Sequence, residues 1–271
     1  MNSVPCSVGI LTRNSGNTLA RALESVRAFD DLVICDGGST DATRQIAARY
    51  GARIVEQDAR HKNPDGSIAD FSGVRNQLLS AARNDWFFYI DSDEELSAEA
   101  VDEIRGIVSS ANDPRAPVAY RLPRKTVIDG VCIECATAYP NYQTRLFRKS
   151  AAQGFVKRVH ERPALPNNAR IGTLAHCEYV PLDLTEREMK DKQRYYLSIE
   201  VERHANDTLW QWLTGPVAGS LRSSLSYLVR HARILLFCRG PRMPLWVEWM
   251  HHWYNWELIR RTGGKFFAKK S

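Results

Sequence analysis

The chain has 271 residues, of which 44% are hydrophobic and 25% charged, and its formal net charge is +6. This composition is typical of globular proteins and argues against a disordered or fibrous chain, and the length is sufficient for one or two domains with a sizeable core. No apolar run approaches the roughly 20 residues that a membrane-spanning helix needs, and residues 1–5 show no basic leader. We therefore expect a cytoplasmic protein without a signal peptide.

The first ninety residues alternate short apolar runs with segments of helical periodicity. Strands are predicted at residues 6–11, 32–35, 52–56 and 86–90, and the helices between them carry apolar residues three or four positions apart. This alternation predicts an α/β fold with a mostly parallel central sheet flanked by helices. Ligands of such sheets bind outside the carboxyl ends of the strands, where Thr12, Asp36 and Asp91 fall.

Residues 97–205 are less regular. A helix is predicted to begin at Ser97, strands are predicted at residues 119–123, 126–128 and 142–148, and a charged helix is predicted over about residues 185–204. Beyond it the periodicity predicts a helical C-terminal extension.

The charge is concentrated in that extension. Residues 207–271 contain ten Lys or Arg and three Asp or Glu, a net charge of +7, which leaves −1 for residues 1–206. The same segment holds six of the seven tryptophans. Such a composition fits a peripheral element on an anionic membrane surface, or a helical subdomain that packs its tryptophans into a core. The two interpretations are compatible, and nucleic-acid binding is not expected.

The six cysteines, in a chain without an export signal, predict reduced thiols. Cys132 and Cys135 form a CxxC pair, but no second pair follows at the spacing of a structural zinc site. His251 and His252 lie among the aromatic residues of the C-terminal region and are interpreted as interfacial rather than metal-binding.

Asp91 and Asp93 follow a predicted buried strand and are two positions apart, so their side chains point the same way. Close carboxylates repel, and oxygen ligands suit Mg²⁺ or Mn²⁺ bound jointly with a diphosphate. A surface turn is the alternative. Glu94 and Glu95 are expected to begin the next, solvated helix.

Asp36 ends the second predicted strand and is followed by Gly-Gly-Ser-Thr-Asp at residues 37–41. A carboxylate in this position can bind the base or ribose of a nucleotide. The alternative is a capped strand-to-helix turn, which explains residues 39–41 well and Asp36 poorly. The sequence contains neither GxGxxG nor GxxxxGK, which weighs against dinucleotide dehydrogenases and P-loop NTPases.

Taken together, the segments 8–14, 33–41, 73–76 and 89–93 resemble glycosyltransferase family 2, the inverting nucleotide-sugar enzymes of GT-A fold. The segments 144–148, 159–161 and 176–179, with Lys192 and Tyr195, resemble the branch that includes lipopolysaccharide-core β-glucosyltransferases. The resemblance implies a nucleotide-sugar-binding half at 1–95, an acceptor-binding and catalytic half at 96–205, and a basic, Trp-rich helical region at 206–271.

The resemblance also implies roles for individual residues. Asp36 would contact the base, and Thr12 and Arg75 would line the nucleotide pocket. The full set of expected nucleotide-sugar contacts is Thr12, Asn14, Asp36, Arg75, Asp91, Ser92 and Arg145. The expected ligands of Mg²⁺ or Mn²⁺ are Asp91, Asp93 and His176.

An inverting transfer needs a base for the acceptor hydroxyl, and Glu161 is the candidate. The alternative for Glu161 is a surface carboxylate paired with Arg158 or Arg162. His160 would orient Glu161 or the donor, or else be a partly buried histidine with its hydrogen bonds satisfied.

These expectations define a metal-dependent inverting glycosyltransferase that uses a nucleotide sugar, expected to be a UDP-sugar. The acceptor would be a hydroxyl of a lipopolysaccharide-core, lipid-linked or other cell-envelope glycan, met on the inner face of the cytoplasmic membrane. Two alternatives remain. A sugar nucleotidyltransferase would need a Gly-rich, basic phosphate loop after the first strand, of which residues 11–16 offer a poor version. The other is a non-catalytic lipid- or nucleic-acid-binding protein on a degenerate transferase fold.

Overall fold

The computed structural model describes residues 3–110, 115–158, 161–183 and 185–267. The chain divides into two compact units, which we name the N-terminal unit (Met1–Thr126 and Pro140–Pro181) and the C-terminal unit (Val127–Tyr139 and Leu182–Ser271). The charged helix predicted near 185–204 belongs to the C-terminal unit.

Four parallel strands form the first half of the sheet in the N-terminal unit, as predicted. They lie in the order β3-β2-β1-β4, connected by helices. Their bounds are β1 (Val4–Thr12), α1 (Leu19–Ser25), β2 (Phe29–Asp36), α2 (Thr43–Arg49), β3 (Arg53–Glu56), α3 (Phe71–Ala81) and β4 (Trp86–Asp91). Alternate residues of one strand enter different core clusters: Phe88 packs in one, and Phe87 and Tyr89 pack in the other. Both faces of the sheet are therefore covered, which is why these strands read as continuous apolar runs.

The second half of the sheet corrects the prediction of a mostly parallel sheet. β8 (Tyr142–Arg148) pairs antiparallel with both β4 and β6 (Ala119–Ile128), and β12 and β5 follow in the order of strands. The segment that joins β6 to β8 contains no helix, whereas parallel neighbours usually require a helical crossover. β6 is one strand where two were predicted. The remaining elements of this unit are β5 (Glu95–Leu96), α4 (Ala98–Ser109), β9 (Phe155–Val156), β10 (Arg162–Pro163), β11 (Ile171–Thr173) and β12 (Glu178–Pro181).

The two helices predicted to begin at Ser97 and near residue 185 both begin with a side-chain cap. The Ser97 side chain accepts a hydrogen bond from the Ala100 amide and begins α4. Thr185 and Glu188 form a reciprocal capping box at the start of the charged helix α5 (Glu186–Arg203).

Helices dominate the C-terminal unit. α6 (Leu209–Trp212) continues through a π-helical turn (Leu213–Val217) into α7 (Ala218–Phe237), and α8 (Leu245–Phe267) packs against α5, α6 and α7. β7 (Val131–Cys132) belongs to the same unit. No helix in the described ranges is both long and apolar enough to cross a membrane.

One cysteine pair corrects the expectation that all six thiols are reduced. Cys135 and Cys238, 103 positions apart, form a disulfide with their Cα atoms 6.1 Å from each other. Cys6, Cys35, Cys132 and Cys177 are not disulfide-bonded. The pairing follows from the fold, because the segment around Cys135 forms backbone hydrogen bonds with Pro241 and Met243, just beyond the end of α7.

Candidate active site

The polar residues predicted at the strand ends lie at one edge of the parallel half of the sheet. Thr12 is opposite Asp36 in the β1–β2 register, and Leu11 is opposite Asp91 in the β1–β4 register. The carboxylates of Asp36 and Asp91 therefore flank the end of β1, as the sequence predicts.

Asp36 is fully buried and organises the turn after β2. Its carboxylate accepts hydrogen bonds from the hydroxyls of Thr12 (2.9 Å) and Ser39 (2.6 Å) and from the amides of Gly38 (3.3 Å) and Ser39 (3.0 Å), and Arg44 approaches to 3.2 Å. Gly38 has φ +90°, a conformation that strains other residues. Burial acts to raise the pKa of Asp36, but these hydrogen bonds outweigh it and lower the pKa. Asp36 thus caps the turn. In the sequence analysis, the capped-turn alternative had accounted poorly for this residue.

Three loops meet beside Asp36. Asn14 accepts a hydrogen bond from the Thr40 amide (2.9 Å), and its own amide donates to the Ser39 hydroxyl (2.8 Å). The hydroxyls of Ser15 and Ser92 lie 2.9 Å apart. Hydrogen bonds therefore connect the loops after β1, β2 and β4, and Asn14 and Ser92 take part in them.

Asp91 is held by two arginines. Arg75 donates a short hydrogen bond to one carboxylate oxygen, and Arg145 lies 3.5 Å from the other. The Asp91 side chain nevertheless remains 41% exposed. Burial acts to raise the pKa of Asp91, but the two guanidinium groups outweigh it and hold the pKa well below its usual range.

Asp91 and Asp93 can offer carboxylate oxygens to a metal, but the two residues alone do not make a complete site of protein ligands. Asp93 is exposed near the partly exposed Asp91. His176 does not join them: among the described residues no three Asp, Glu, His or Cys side chains form a metal-binding cluster. His176 is exposed, and its backbone amide donates to Glu103 of α4. Because Mg²⁺ is commonly held by one or two carboxylates plus substrate phosphates, Asp91 and Asp93 fit a metal bound jointly with a diphosphate.

Behind Asp91 lies a buried ion network that the sequence analysis misses. Arg145, 1% exposed, donates to Glu94 (2.6 Å) and Glu178 (3.2 Å), and Arg124 pairs with the same two carboxylates. Glu94 is 2% exposed, so the expectation that it begins a solvated helix is wrong. Burial, with the nearby charges of Asp91 and Glu178, raises the pKa of Glu94 to about 7 despite Arg145. Arg145, which was expected to contact the nucleotide sugar, is enclosed by the carboxylates of Asp91, Glu94 and Glu178.

Sequence signals for this network are weak. Glu94 directly follows the Asp91-Ser92-Asp93 triplet, and Glu178 lies in the 176–179 segment that carries part of the resemblance. Arg124 gives no signal beyond its place in a predicted strand region.

Glu161 lies in the wall of an open cleft of about 510 Å³, together with Tyr89, Tyr142 and Gln143. Its carboxylate accepts a hydrogen bond from Nε of Arg75 at 3.2 Å, so its ion-pair partner is Arg75 rather than the Arg158 or Arg162 of the alternative interpretation. His160 lies outside the described residues.

Arg75 links the two carboxylates of the site. It is 2% exposed, it bonds both Asp91 and Glu161, and its Nη1 is buried without a hydrogen-bond partner in the described chain. Its guanidinium carbon lies 4.9 Å from the centre of the Tyr89 ring, and that of Arg145 lies 4.7 Å away. Ion pairs therefore run from Glu178 through Arg145, Asp91 and Arg75 to Glu161. This arrangement fixes the Glu161 carboxylate at the cleft wall, close to Asp91 of the Asp91–Asp93 pair.

The model of the family described as Glycosyl transferase family 2 matches residues 7–109, which include β1 through α4 and the carboxylates of Asp36, Asp91 and Asp93. Glu161 and Arg145 lie beyond the matched range.

Two of the following three curated relatives are glycosyltransferases by name. The chain is 33% identical over 147 residues to an uncharacterized glycosyltransferase of Rickettsia prowazekii, covering 54% of this chain and 47% of that protein. It is 33% identical over 156 residues to a TPR repeat-containing protein of Synechococcus elongatus, covering 57% and 34%. It is 26% identical over 200 residues to the lipopolysaccharide core biosynthesis glycosyltransferase LpsC of Rhizobium meliloti, covering 70% and 68%. The chain thus spans half or less of the length of the first two.

Among solved structures, the chain is similar to S. aureus TarS 1-349 in complex with UDP-GlcNAc, with a TM-score of 0.46 and 16% identity over 94% of this chain and 81% of that chain. That similarity is too low to carry an argument about ligands. The family match agrees with the α/β fold described above. Residues 7–109 are thus similar to glycosyl transferase family 2.

Proposed function

We propose that the protein transfers a sugar from a nucleotide sugar, most simply a UDP-sugar, to a glycan hydroxyl with inversion at the anomeric carbon. The observation that carries the proposal is the juxtaposition of Asp91, Arg75 and Glu161 at the carboxyl end of β4, beside an open cleft. Asp36 and Asn14 organise the neighbouring loops, where the nucleotide would bind.

Glu161 is proposed as the general base. Its carboxylate forms part of the cleft wall and can accept the proton of an acceptor hydroxyl as that oxygen attacks the anomeric carbon. Arg75 holds this carboxylate in place through Nε. The unpartnered Nη1 of Arg75 supplies a further donor for an anionic group of the donor sugar nucleotide.

Asp91 and Asp93 would hold Mg²⁺ or Mn²⁺ together with the diphosphate. When bound, such a metal offsets the negative charge that develops on the leaving diphosphate. Asp91 reaches this role already oriented by Arg75 and Arg145.

The proposed acceptor class rests on LpsC, whose name assigns it to lipopolysaccharide core biosynthesis. The similarity to LpsC covers 70% of this chain. We propose a lipopolysaccharide-core or other lipid-linked cell-envelope glycan. A peripheral position on the inner face of the cytoplasmic membrane is part of the proposal, because residues 207–271 carry a net charge of +7 and that leaflet is anionic.

Calorimetric titration with UDP-glucose, UDP-galactose, GDP-mannose and UDP, each with and without Mn²⁺, tests the donor site. We expect Mn²⁺-dependent binding of one nucleotide class, and its loss in Asp93→Ala. Asp102→Ala, which removes an exposed carboxylate of α4, is the matched control and should bind as the wild type does. Absence of binding by the wild-type protein under every condition would overturn the proposal.

The catalytic assignment has its own test. With lipopolysaccharide core oligosaccharide as acceptor, Glu161→Gln should lower the rate of nucleotide release by roughly 10²- to 10⁴-fold, since a positioned base contributes about that much. Donor affinity should be nearly unchanged. Glu99→Gln, an exposed carboxylate in the first turn of α4, is the control. Wild-type rates in Glu161→Gln would place the base elsewhere.

A further inference from the structure

Helix α7 presents an apolar face to solvent. We define the α7 outer face as the six residues on one side of this helix, all of them exposed: Leu221, Leu225, Leu228, Val229, Ala232 and Leu236. Leu225 is 63% and Leu236 is 74% exposed. The spacing of three, four and seven positions places these side chains in one stripe. A helix at a water-facing surface normally carries polar residues there.

The opposite side of α7 is polar and is the side that packs. Asn255 of α8 donates hydrogen bonds to the hydroxyls of Ser223 (3.2 Å) and Ser224 (2.9 Å). The Tyr227 ring stacks on the His251 ring of α8 at 4.1 Å and an interplanar angle of 4°. These contacts fix the rotation of α7, so its apolar side faces outward. Contiguous exposed apolar surface of this kind marks an interaction site.

The charge around this face is of one sign. Residues 208–247 contain five arginines and no Asp or Glu. Arg222 and Arg233 flank the α7 outer face on the same side, because eleven residues correspond to nearly three whole turns. Neither pairs with a carboxylate within the described ranges. Arg230 and Arg242 donate to backbone carbonyls of Thr137, Leu235 and Cys238.

This combination selects one class of partner. A second copy of the chain meeting at this face would bring two arginine-rich surfaces together, and like charges oppose that contact. An anionic bilayer accepts both features, since apolar side chains enter the headgroup–acyl boundary and arginines meet lipid phosphates. Since none of the described helices can span a bilayer, α7 would lie on the surface.

We propose that the α7 outer face docks the protein on an anionic membrane, with Leu221, Leu225 and Leu236 in the interface and Arg222 and Arg233 at lipid phosphates. This specifies the membrane contact included in the proposed function, but it does not depend on the transfer chemistry.

Flotation of the 271-residue chain with vesicles tests this assignment. We expect binding to vesicles of equal parts phosphatidylglycerol and phosphatidylcholine, and much weaker binding to phosphatidylcholine alone. The double variant Leu225→Gln/Leu236→Gln should lose roughly 10²- to 10⁴-fold in affinity, because the two leucine side chains together contribute about 3–6 kcal/mol when they are buried. Tyr195→Gln, on α5 and 66% exposed in the wild type, is the matched control and should bind normally.

A second variant tests the charge. Arg222→Gln/Arg233→Gln should weaken binding to the anionic vesicles by roughly thirtyfold, at about 1 kcal/mol per cation, and leave the weak binding to phosphatidylcholine unchanged. Unchanged binding in both double variants would overturn the proposal. So would a concentration-dependent dimer that disappears in Leu225→Gln/Leu236→Gln, since it would assign the face to a second copy.

Donor binding separates this proposal from the proposed function. Mn²⁺-dependent titration of the nucleotide sugars should give wild-type values in both α7 double variants. Loss of vesicle binding with donor binding intact supports the docking assignment. Vesicle binding by a wild-type protein that binds no nucleotide would overturn the proposed function and leave the docking assignment standing.

Discussion

The two units of this protein depart from the usual distribution of side chains in opposite directions. In the N-terminal unit Arg75 and Arg145 are at most 2% exposed, at the end of the parallel strands. In the C-terminal unit Leu225 and Leu236 are more than 60% exposed on α7. Buried charge and exposed apolar surface are the two informative exceptions in a folded chain. We propose that each marks a place where side chains are arranged for a partner: a charged ligand in one unit and a lipid surface in the other.

Both exceptions are stabilised locally. The buried charges of the N-terminal unit are paired, with Arg75, Arg124 and Arg145 set among Asp91, Glu94, Glu161 and Glu178. The exposed face of α7 is held outward by hydrogen bonds and ring stacking on its other side. The comparison therefore predicts that buried charges are costly to remove and exposed apolar residues are not.

The largest effect on stability is expected at Arg145. Arg145→Met should lower the free energy of unfolding by about 3–5 kcal/mol, because Asp91 and Glu178 would each lose a buried cationic partner. Arg148→Met, on the same strand and with its side chain 27% exposed beside Asp85, should cost less than about 1 kcal/mol. Urea denaturation measures both. Equal losses in the two variants would show that burial of Arg145 has no special cost.

A pair of tryptophans tests the comparison within the C-terminal unit. Trp212 is 7% exposed, donates to the Thr262 hydroxyl at 3.0 Å and packs against Gly263, where an added Cβ would meet its ring at 2.5 Å. Trp212→Ala should therefore cost about 3 kcal/mol. Trp210 is 73% exposed, and Trp210→Ala should change stability by less than about 0.5 kcal/mol. Thermal unfolding distinguishes them, and a destabilised Trp210→Ala would indicate that Trp210 is part of the core.

The smallest effect concerns pH. The pKa of Glu94, about 7, lies above its ordinary value of 4.5, so the native state binds this proton more tightly than the unfolded state does. Stability contributed by protonated Glu94 is complete below about pH 4.5 and is lost as the pH rises through 7. The stability of the wild type relative to Glu94→Gln should therefore fall by roughly 1–3 kcal/mol between pH 5 and pH 8. Denaturation at both pH values measures this difference. A constant difference would contradict the raised pKa.

Much of the N-terminal unit is predictable because its signals are local. Continuous apolar runs identify strands buried on both faces, and their polar ends place Thr12, Asp36 and Asp91 at one edge. Ser97 and Thr185 mark the starts of helices, and the side chain of each accepts a hydrogen bond from the backbone amide three residues later. These features depend on neighbours within a few positions, so sequence alone determines them.

Other features depend on contacts that only the tertiary structure decides. Arg75 and Glu161 are 86 positions apart, and Cys135 and Cys238 are 103 apart. Glu94 is adjacent to a recognisable motif, yet its burial depends on Arg124 and Arg145 from distant strands. Even the periodicity of α7 is ambiguous, because an apolar stripe reads the same whether it faces a core or a lipid surface. Which face of that helix packs on α8, and so which face remains for a partner, is decided by long-range contacts that no local pattern encodes.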